Sequence, residues 1–225
     1  MREGDTMRDD MRCWIYSHMS ELFVAAPRRL EPLPPGAAEN HPETRRAVEA
    51  LGPALAAAGP EAVAIAQTRL FVNAVGGVAA PPYASWYLDG TLQGPSTALV
   101  TEAYAGQCLA VAAESGQPPD YIATELEFLH FLGRHQEAAR MTDDRSALIA
   151  ARDAETRFLE AHFFRWVPRF ARAIRHAAPG RVFAGVADVL DAFCLEGRVP
   201  AGGSHGFVPI GGMGRRAADL EPRPW

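Results

Sequence analysis

The 225-residue sequence contains no lysine, so its 22 basic residues are all arginines, set against 27 acidic residues. The net charge of −5 and the absence of a basic stripe argue against a nucleic-acid-binding protein. Its three cysteines, Cys13, Cys108 and Cys194, form no CxxC pair. They therefore offer neither a zinc-ligand pattern nor the even set of a disulfide framework, and we predict no metal and no cofactor.

Long apolar runs are also absent. No stretch approaches 18 uninterrupted apolar residues, so we expect no segment to span a membrane. The N-terminus lacks the apolar region of a secretory signal, which favours a cytoplasmic protein. The sequence has no P-loop, GxGxxG, HExxH or nucleophile-elbow pattern, so no motif supports an enzyme.

Apolar residues recur at three- and four-residue steps, and almost nowhere with period two, which predicts an all-α fold. We expect a single globular bundle of seven or eight helices over residues 10–197, after a flexible segment 1–9. The Gly/Pro-rich residues 198–225 predict an extended or disordered tail. The helices are predicted over 10–26, 42–58, 61–75, 97–113, 118–141, a stretch from 142 that Pro168 kinks or divides, and 181–196. Gly52-Pro53 is expected to break the second of these helices, and Gly59-Pro60 is expected to separate it from the third.

Residues 76–90 combine many glycines and prolines with three aromatic residues, Tyr83, Trp86 and Tyr87. The segment is predicted to be irregular, yet its aromatic side chains must pack on something. Long irregular segments of this kind are often functional.

A carboxylate stands where an apolar residue belongs in the helix predicted after Pro118-Pro119, which the prolines should open in its first turn. Glu125 falls near the middle of the apolar arc of this helix, whereas Glu127 falls outside it. A buried carboxylate needs a partner, a raised pKa or a ligand. A tyrosine hydroxyl, a backbone N–H or Arg152 could serve as the partner. Asp120 either complements the dipole of its own helix or accepts a salt bridge from a peptide arginine.

The run from Gln117 through Asp120, Tyr121 and Glu125 to Leu126 resembles the signature of the TorD/DmsD/NarJ family. Gln117 and Tyr121 stand where that family usually has glutamate and histidine. A tyrosine stays neutral near pH 7, which puts any charge-based role of the histidine in doubt here. Three further segments are similar to family stretches in the same order along the chain: 12–23, 81–88 and 162–170.

The resemblance implies an all-helical cytoplasmic chaperone. Such a protein would bind the twin-arginine signal peptide or N-terminus of a molybdopterin oxidoreductase catalytic subunit precursor, and hold it for cofactor insertion before export. It could be a monomer or a domain-swapped dimer. We predict no catalytic residue. The predicted peptide-binding residues are Tyr83, Ser85, Trp86, Tyr87, Asp120, Tyr121 and Glu125.

Two alternatives stay open. In the first, Glu125 and Asp120 form an acid/base pair of a small-molecule enzyme, although they project about 140° apart on one helix. In the second, the chain is a helical scaffold that binds partners through residues 198–225. His162 lies at the edge of an apolar stripe, which is typical of a packed, hydrogen-bonded histidine more than of a metal ligand.

Overall fold

Helices make up most of the chain that the computed structural model describes, which is residues 3–27, 29–37, 41–72, 77–112, 115–177 and 180–198, with side chains from Met11 onward. The helices are α1 Glu3–Val24, α2 Pro42–Gln67, α3 Ala84–Leu88, α4 Pro95–Ala105, α5 Ile122–Met141, α6 Arg145–Phe158, α7 Phe164–Ala177 and α8 Arg181–Arg198. Two π-helical turns, Thr68–Val72 and Leu159–Phe163, follow α2 and α6. These residues contain no strand, which confirms the all-α prediction.

The structure tests only part of what was predicted for the two ends of the chain. Helix α1 begins at Glu3 rather than near residue 10, so it includes most of the segment predicted to be flexible. The predicted tail lies outside the described residues from position 199 onward. Its extended or disordered character stays a prediction.

The first prediction of a break in α2 was wrong. The helix continues through Gly52 and Pro53, because a glycine before proline has no Cβ to clash with the proline ring. Gly59 does interrupt it, with φ 74° and ψ 162°, a backbone conformation that favours glycine. Pro60 then opens the second arm of α2, where its missing N–H is tolerated.

The predicted start of α5 was also wrong. Pro118 and Pro119 lie in a turn before the helix, where the Tyr121 N–H bonds to the Pro118 carbonyl at 3.1 Å. Tyr121 is the N-cap residue, so the helix begins at Ile122. Asp120 is therefore not in the first helical turn. Residues 76–90 are less irregular than predicted, since α3 forms within them.

The long helical stretch after residue 142 divides as predicted, but the division lies before the proline. Asp144 caps α6 by accepting the Ala147 N–H at 2.9 Å. Pro168 lies inside α7, and the π-helical turn ends five residues before it. A proline distorts the preceding turn, because its ring clashes with the carbonyl four residues back and it donates no hydrogen bond. The π-helical turn ends directly before Phe164, the residue whose carbonyl lies four positions before Pro168.

The core forms where four helix pairs make the largest contacts: α2 with α8, α1 with α5, α5 with α6, and α7 with α8. Helices α1 and α5 approach closely at Gly133, where a Cβ would overlap the Cys13 sulfur. The largest fully buried side chains are Trp166, Tyr16, Phe163, Phe170 and Phe183. Aromatic residues from α1, the second π-helical turn, α7 and α8 thus fill the centre of the bundle.

Among the described residues, the segment Pro42–Val72 is long and apolar enough to cross a membrane by length and composition, with a mean hydropathy of 1.2. In the folded chain 22% of that window is buried. Core helices pass the same test, so the criterion is weak evidence. The expectation that no segment spans a membrane stays a prediction.

Candidate functional site

A buried carboxylate joins three separate parts of the fold. Glu125, in the first turn of α5, has 0% exposure. Its Oε1 lies 2.7 Å from Nε2 of His162 in the second π-helical turn. Its Oε2 accepts the indole N–H of Trp166 in α7 at 3.0 Å. The predicted burial of Glu125 is confirmed, whereas its partners are His162 and Trp166 rather than Arg152.

The electrostatics of the Glu125–His162 pair follow from burial and proximity. Burial raises the pKa of Glu125 above its usual range, and the hydrogen bonds from His162 and Trp166 oppose that rise. Burial lowers the pKa of His162, but the Glu125 carboxylate outweighs it and the net shift is upward. We conclude that the histidine favours its cationic form more than a free imidazole does. The packed, hydrogen-bonded histidine predicted from the sequence is confirmed.

This upward shift predicts a pH-dependent stability. Since the folded pKa of His162 lies above the ordinary 6.5, its contribution is present below pH 6.5 and is lost as the pH rises through the folded value. One proton corresponds to at most about 1.4 kcal/mol per pH unit. We expect the free energy of unfolding, measured in urea, to fall from acidic to mildly alkaline pH relative to His162→Gln. That variant keeps a donor for Glu125 without titrating.

The comparison needs a control because other groups also titrate. Burial lowers the pKa of His130, so the contribution of this histidine to the free energy of unfolding rises with pH. Wild type and His162→Gln both contain His130, so this contribution cancels when one curve is subtracted from the other. His176→Gln, at an exposed position, should keep the full wild-type slope. Parallel curves for wild type and His162→Gln would contradict the assigned charge state.

Asp120 caps α3 instead of its own helix. Its Oδ2 accepts the Ser85 N–H at 2.8 Å, and its backbone carbonyl accepts the Ala84 N–H at 3.0 Å. The side chain is fully buried. Its Oδ1 has no hydrogen-bond partner among the described residues. Such an atom loses its water without compensation, so it is a reason to look for a ligand or an opening.

Short backbone pairing joins the segment before α3 to the turn before α5. Tyr83 and Tyr121 form an antiparallel bridge, and their rings lie 5.7 Å apart. The Tyr83 hydroxyl donates to Gln117 at 3.1 Å, and that of Tyr121 donates to the Phe23 carbonyl at 2.7 Å. Burial raises the pKa of Tyr121 to about 12, so this residue is neutral at physiological pH.

The two sides of α3 differ. Its inner side is fixed: the buried Ser85 hydroxyl accepts the Gln93 N–H at 3.1 Å, and Tyr87 stacks on Trp166 with ring centroids 5.8 Å apart. Arg169 also donates to the Tyr87 carbonyl at 2.8 Å. On the outer side Trp86 is 46% exposed. Among the predicted site residues, Trp86 is the one with an exposed side chain.

The structure therefore brings the predicted residues into one region. Tyr83, Tyr87 and Tyr121 are half-buried, and Ser85, Asp120 and Glu125 are buried. His162 and Trp166 belong to the same network but were not predicted as site residues. Their four-residue spacing, which puts both on one helical face, was the available signal.

Neither carboxylate of the predicted acid/base pair is accessible to a substrate in this structure. Glu125 and Asp120 are both fully buried, and each accepts a hydrogen bond from the protein. In the described part of the chain, no group of three or more histidine, cysteine, aspartate or glutamate side chains could hold a metal ion.

A second buried carboxylate lies between α1, α5 and α6. Glu155 is 2% exposed and accepts hydrogen bonds from the Tyr16 hydroxyl and the Gln136 amide, both at 2.8 Å. Arg12 Nη1 lies 3.4 Å from it. This cluster was not predicted from the sequence. Leu148, Glu155 and Phe158 recur at helical steps, so the projection that found Glu125 could have found Glu155 as well.

These observations define an all-helical protein in which a short helix with one exposed tryptophan rests on a buried Glu-His-Trp network. A family model described as nitrate reductase delta subunit matches residues 37–172, which is more than half of the chain and includes every predicted site residue. The chain belongs to this family, to which TorD and NarJ proteins also belong. The family indicated by the sequence motifs is confirmed.

Individual relatives are similar over shorter stretches. Chaperone protein TorD of a Psychrobacter species is 29% identical over 122 residues, which is 53% of each chain. Chaperone protein TorD of Vibrio cholerae is 31% identical over 91 residues, which is 40% of each. The chain thus spans about half, or less, of the length of these curated relatives.

One solved structure supports the fold. A candidate redox enzyme maturation protein from Archaeoglobus fulgidus superimposes with a TM-score of 0.50 at 21% identity, over 81% of this chain and 93% of its own. At that identity the match concerns the arrangement of helices alone.

Proposed function

We propose that the protein is a cytoplasmic maturation chaperone for a molybdopterin oxidoreductase. It binds the twin-arginine leader or N-terminus of the catalytic subunit precursor and holds it until the cofactor is inserted. The observation that carries this proposal is the family match over residues 37–172, which contains the whole candidate site. The mechanism is reversible binding with no covalent step, so the protein is not an enzyme.

The surface around α3 has the chemistry that such a leader requires. The exposed Trp86 ring and the half-buried Tyr83 offer aromatic faces, which bind both apolar side chains and arginine guanidinium groups. The net charge of −5 steers a basic segment toward the protein. These features support a site that receives an arginine pair.

Helix α3 is the element most suited to open for a ligand. Its five residues are too few for a helix that is stable alone, so Asp120 and the packed Tyr87 ring hold it in place. The buried Asp120 Oδ1 and the buried Tyr87 hydroxyl both lack a hydrogen-bond partner among the described residues. A small displacement of α3 would let a leader guanidinium pair with Asp120.

The proposal is tested first by co-purification from the native cytoplasm, with mass spectrometry of what is recovered. A molybdopterin oxidoreductase precursor that still carries its leader is the expected result. Recovery of the protein alone, with the precursor expressed, would overturn the proposal. A chain ending at Gly197 should recover the same precursor, whereas loss of recovery would favour binding through the tail.

Trp86→Ala should weaken binding of the synthetic leader of that precursor at least about 10-fold in calorimetry. An exposed tryptophan at the centre of a binding surface is a typical hot spot, and 10-fold corresponds to about 1.4 kcal/mol. Thermal stability should change little, because the side chain is 46% exposed. Ile149→Ala, at an exposed position on α6 with 50% exposure, is the matched control and should bind like wild type. Unchanged affinity in Trp86→Ala would remove Trp86 from the site.

A further inference from the structure

The second arm of α2, with the first π-helical turn that follows it, leaves an apolar face uncovered. The inner side of this arm is packed, since Val63 and Leu70 are buried in the core. On the outer side Ile65 is 47% exposed and Val72 is 70% exposed. The arm belongs to the segment that is apolar enough to pass for a membrane span, of which only 22% of the apolar window is buried. An apolar helix face left open in this way indicates a surface that another molecule covers.

Hydrogen bonds hold this face in one position. The Gln67 side-chain amide donates to the carbonyls of Leu22 and Ala25 at 2.7 Å and 2.6 Å, which ties the arm to the end of α1. The Thr68 hydroxyl donates to the Ala64 carbonyl at 3.0 Å, so it is satisfied within its own helix. Because the face is already ordered, a partner that binds it pays little conformational entropy for doing so.

Two opposite charges flank Ile65 at equal distances along this arm. Glu61 lies four residues before Ile65 and Arg69 lies four residues after it, so the three side chains share one face. At the rise of an α-helix each charge is about 6 Å along the axis from Ile65. Both charged side chains are exposed, and neither has an ion-pair partner in the part of the chain that the structure describes.

This arrangement is complementary to itself. In an antiparallel pair of such helices, related by a two-fold axis at Ile65, Glu61 of each copy faces Arg69 of the other. The two isoleucines then meet at the axis, and Ala62 of each copy faces Thr68 of the other. A parallel pair would place like charges side by side, which is unfavourable. The charges therefore favour the antiparallel pair.

A membrane surface matches this face less well. Helices that lie on membranes separate an apolar face from a strongly charged, usually basic face. Here the Glu61 carboxylate lies on the same face as the exposed Ile65 side chain. The net charge of −5 also opposes binding to anionic lipids. A second copy of the chain, in contrast, offers Arg69 as the partner of that carboxylate.

We propose that the outer face of the second α2 arm docks on the same face of a second copy of this chain, as an antiparallel pair with its two-fold axis at Ile65. Every helix stays within its own chain, so this dimer differs from a domain-swapped one. One helix face buries less than the roughly 800 Å² per partner of a standard interface. The dimer is therefore reversible and weak, with a Kd on the order of 10–1000 µM. The inference does not depend on the proposed function.

Charge reversal tests the inference by sedimentation, at protein concentrations up to about 1 mM. Wild type should dimerise within this range. Glu61→Arg and Arg69→Glu should each weaken the dimer at least about 10-fold, because each places like charges opposite one another. An equimolar mixture of the two variants should form heterodimers with an affinity close to that of wild type, since every facing pair is then of opposite charge. The double variant Glu61→Arg/Arg69→Glu should recover the homodimer for the same reason.

The control is Glu127→Arg, which makes the same charge change at an exposed position of α5 and should associate like wild type. A wild type that stays monomeric at the highest concentration would overturn the inference. So would a dimer that neither reversal weakens, as domain swapping or pairing through another face would give, or a loss that the mixture does not restore. Flotation with vesicles of anionic lipid addresses the other occupant. Vesicle binding that Ile65→Asp abolishes, in a protein that forms no dimer, would assign the face to a membrane instead.

Discussion

Glu125→Ala is expected to lower the free energy of unfolding by about 3–5 kcal/mol, a large part of the roughly 5–15 kcal/mol that stabilises a typical domain. The substitution leaves the Nε2 of His162 and the indole N–H of Trp166 buried without their acceptor. A buried donor that loses its partner has neither water nor protein to replace it. The large effect comes from these two orphaned groups and not from the loss of apolar contact.

The measurement is urea unfolding followed by tryptophan fluorescence, since Trp166 is itself part of the network. Glu127→Ala, at an exposed position of the same helix, should change the unfolding free energy by less than about 0.5 kcal/mol. Glu125→Gln should fall between the two, because its carbonyl still accepts one hydrogen bond. A loss below about 1 kcal/mol in Glu125→Ala, with an unchanged denaturant slope, would contradict the assigned network.

The Glu125 network also holds α3 of the candidate site in position. Trp166 receives the Tyr87 ring on its face and bonds Glu125 through its indole N–H. Tyr87 in turn belongs to α3, the helix that carries Trp86. Under the proposed function, loss of Glu125 should therefore weaken leader binding by shifting α3. The loss of binding should be larger than the loss of folded protein alone accounts for.

The helical fold and the burial of Glu125 could be predicted because both depend on local spacing. A period near 3.6 marks the buried face of a helix whatever it packs against. The start of α5 could not be predicted in this way, because Asp120 bonds to Ser85, which lies 35 positions earlier. A tertiary hydrogen bond decided where the turn ends and the helix begins, and local propensity does not contain that information.

The partners of Glu125 were missed for a different reason. The prediction of Arg152 as a partner rested on its projection close to the stripe of Leu148 and Leu159 in a regular helix. The π-helical turn Leu159–Phe163 breaks that projection, since each of its turns holds more residues than an α-helical turn. Side chains before and after it therefore face different directions than a regular helix predicts. The family-like segment 162–170 does include His162 and Trp166, so the resemblance contained information that periodicity lost.

Glu155→Ala should also destabilise the protein by about 3–5 kcal/mol, through a cluster that shares no residue with the Glu125 network. Its carboxylate accepts hydrogen bonds from Tyr16 and Gln136 and lies near Arg12, so its removal affects α1, α5 and α6 together. Asp153→Ala, at an exposed position of the same helix, is the control and should be nearly neutral.

A double-mutant cycle with Tyr16→Phe separates a lost bond from an orphaned donor. Tyr16 is fully buried, and burial raises the pKa of its hydroxyl well above the usual range, so the group stays protonated and must donate. Once Glu155 is gone, deleting that hydroxyl removes an unsatisfied group and should add little further loss. We expect a coupling of about 0.5–3 kcal/mol between the two substitutions in urea unfolding. Additive losses would mean that the Tyr16 hydroxyl finds another acceptor, and that the cluster does not fix α1 against α6.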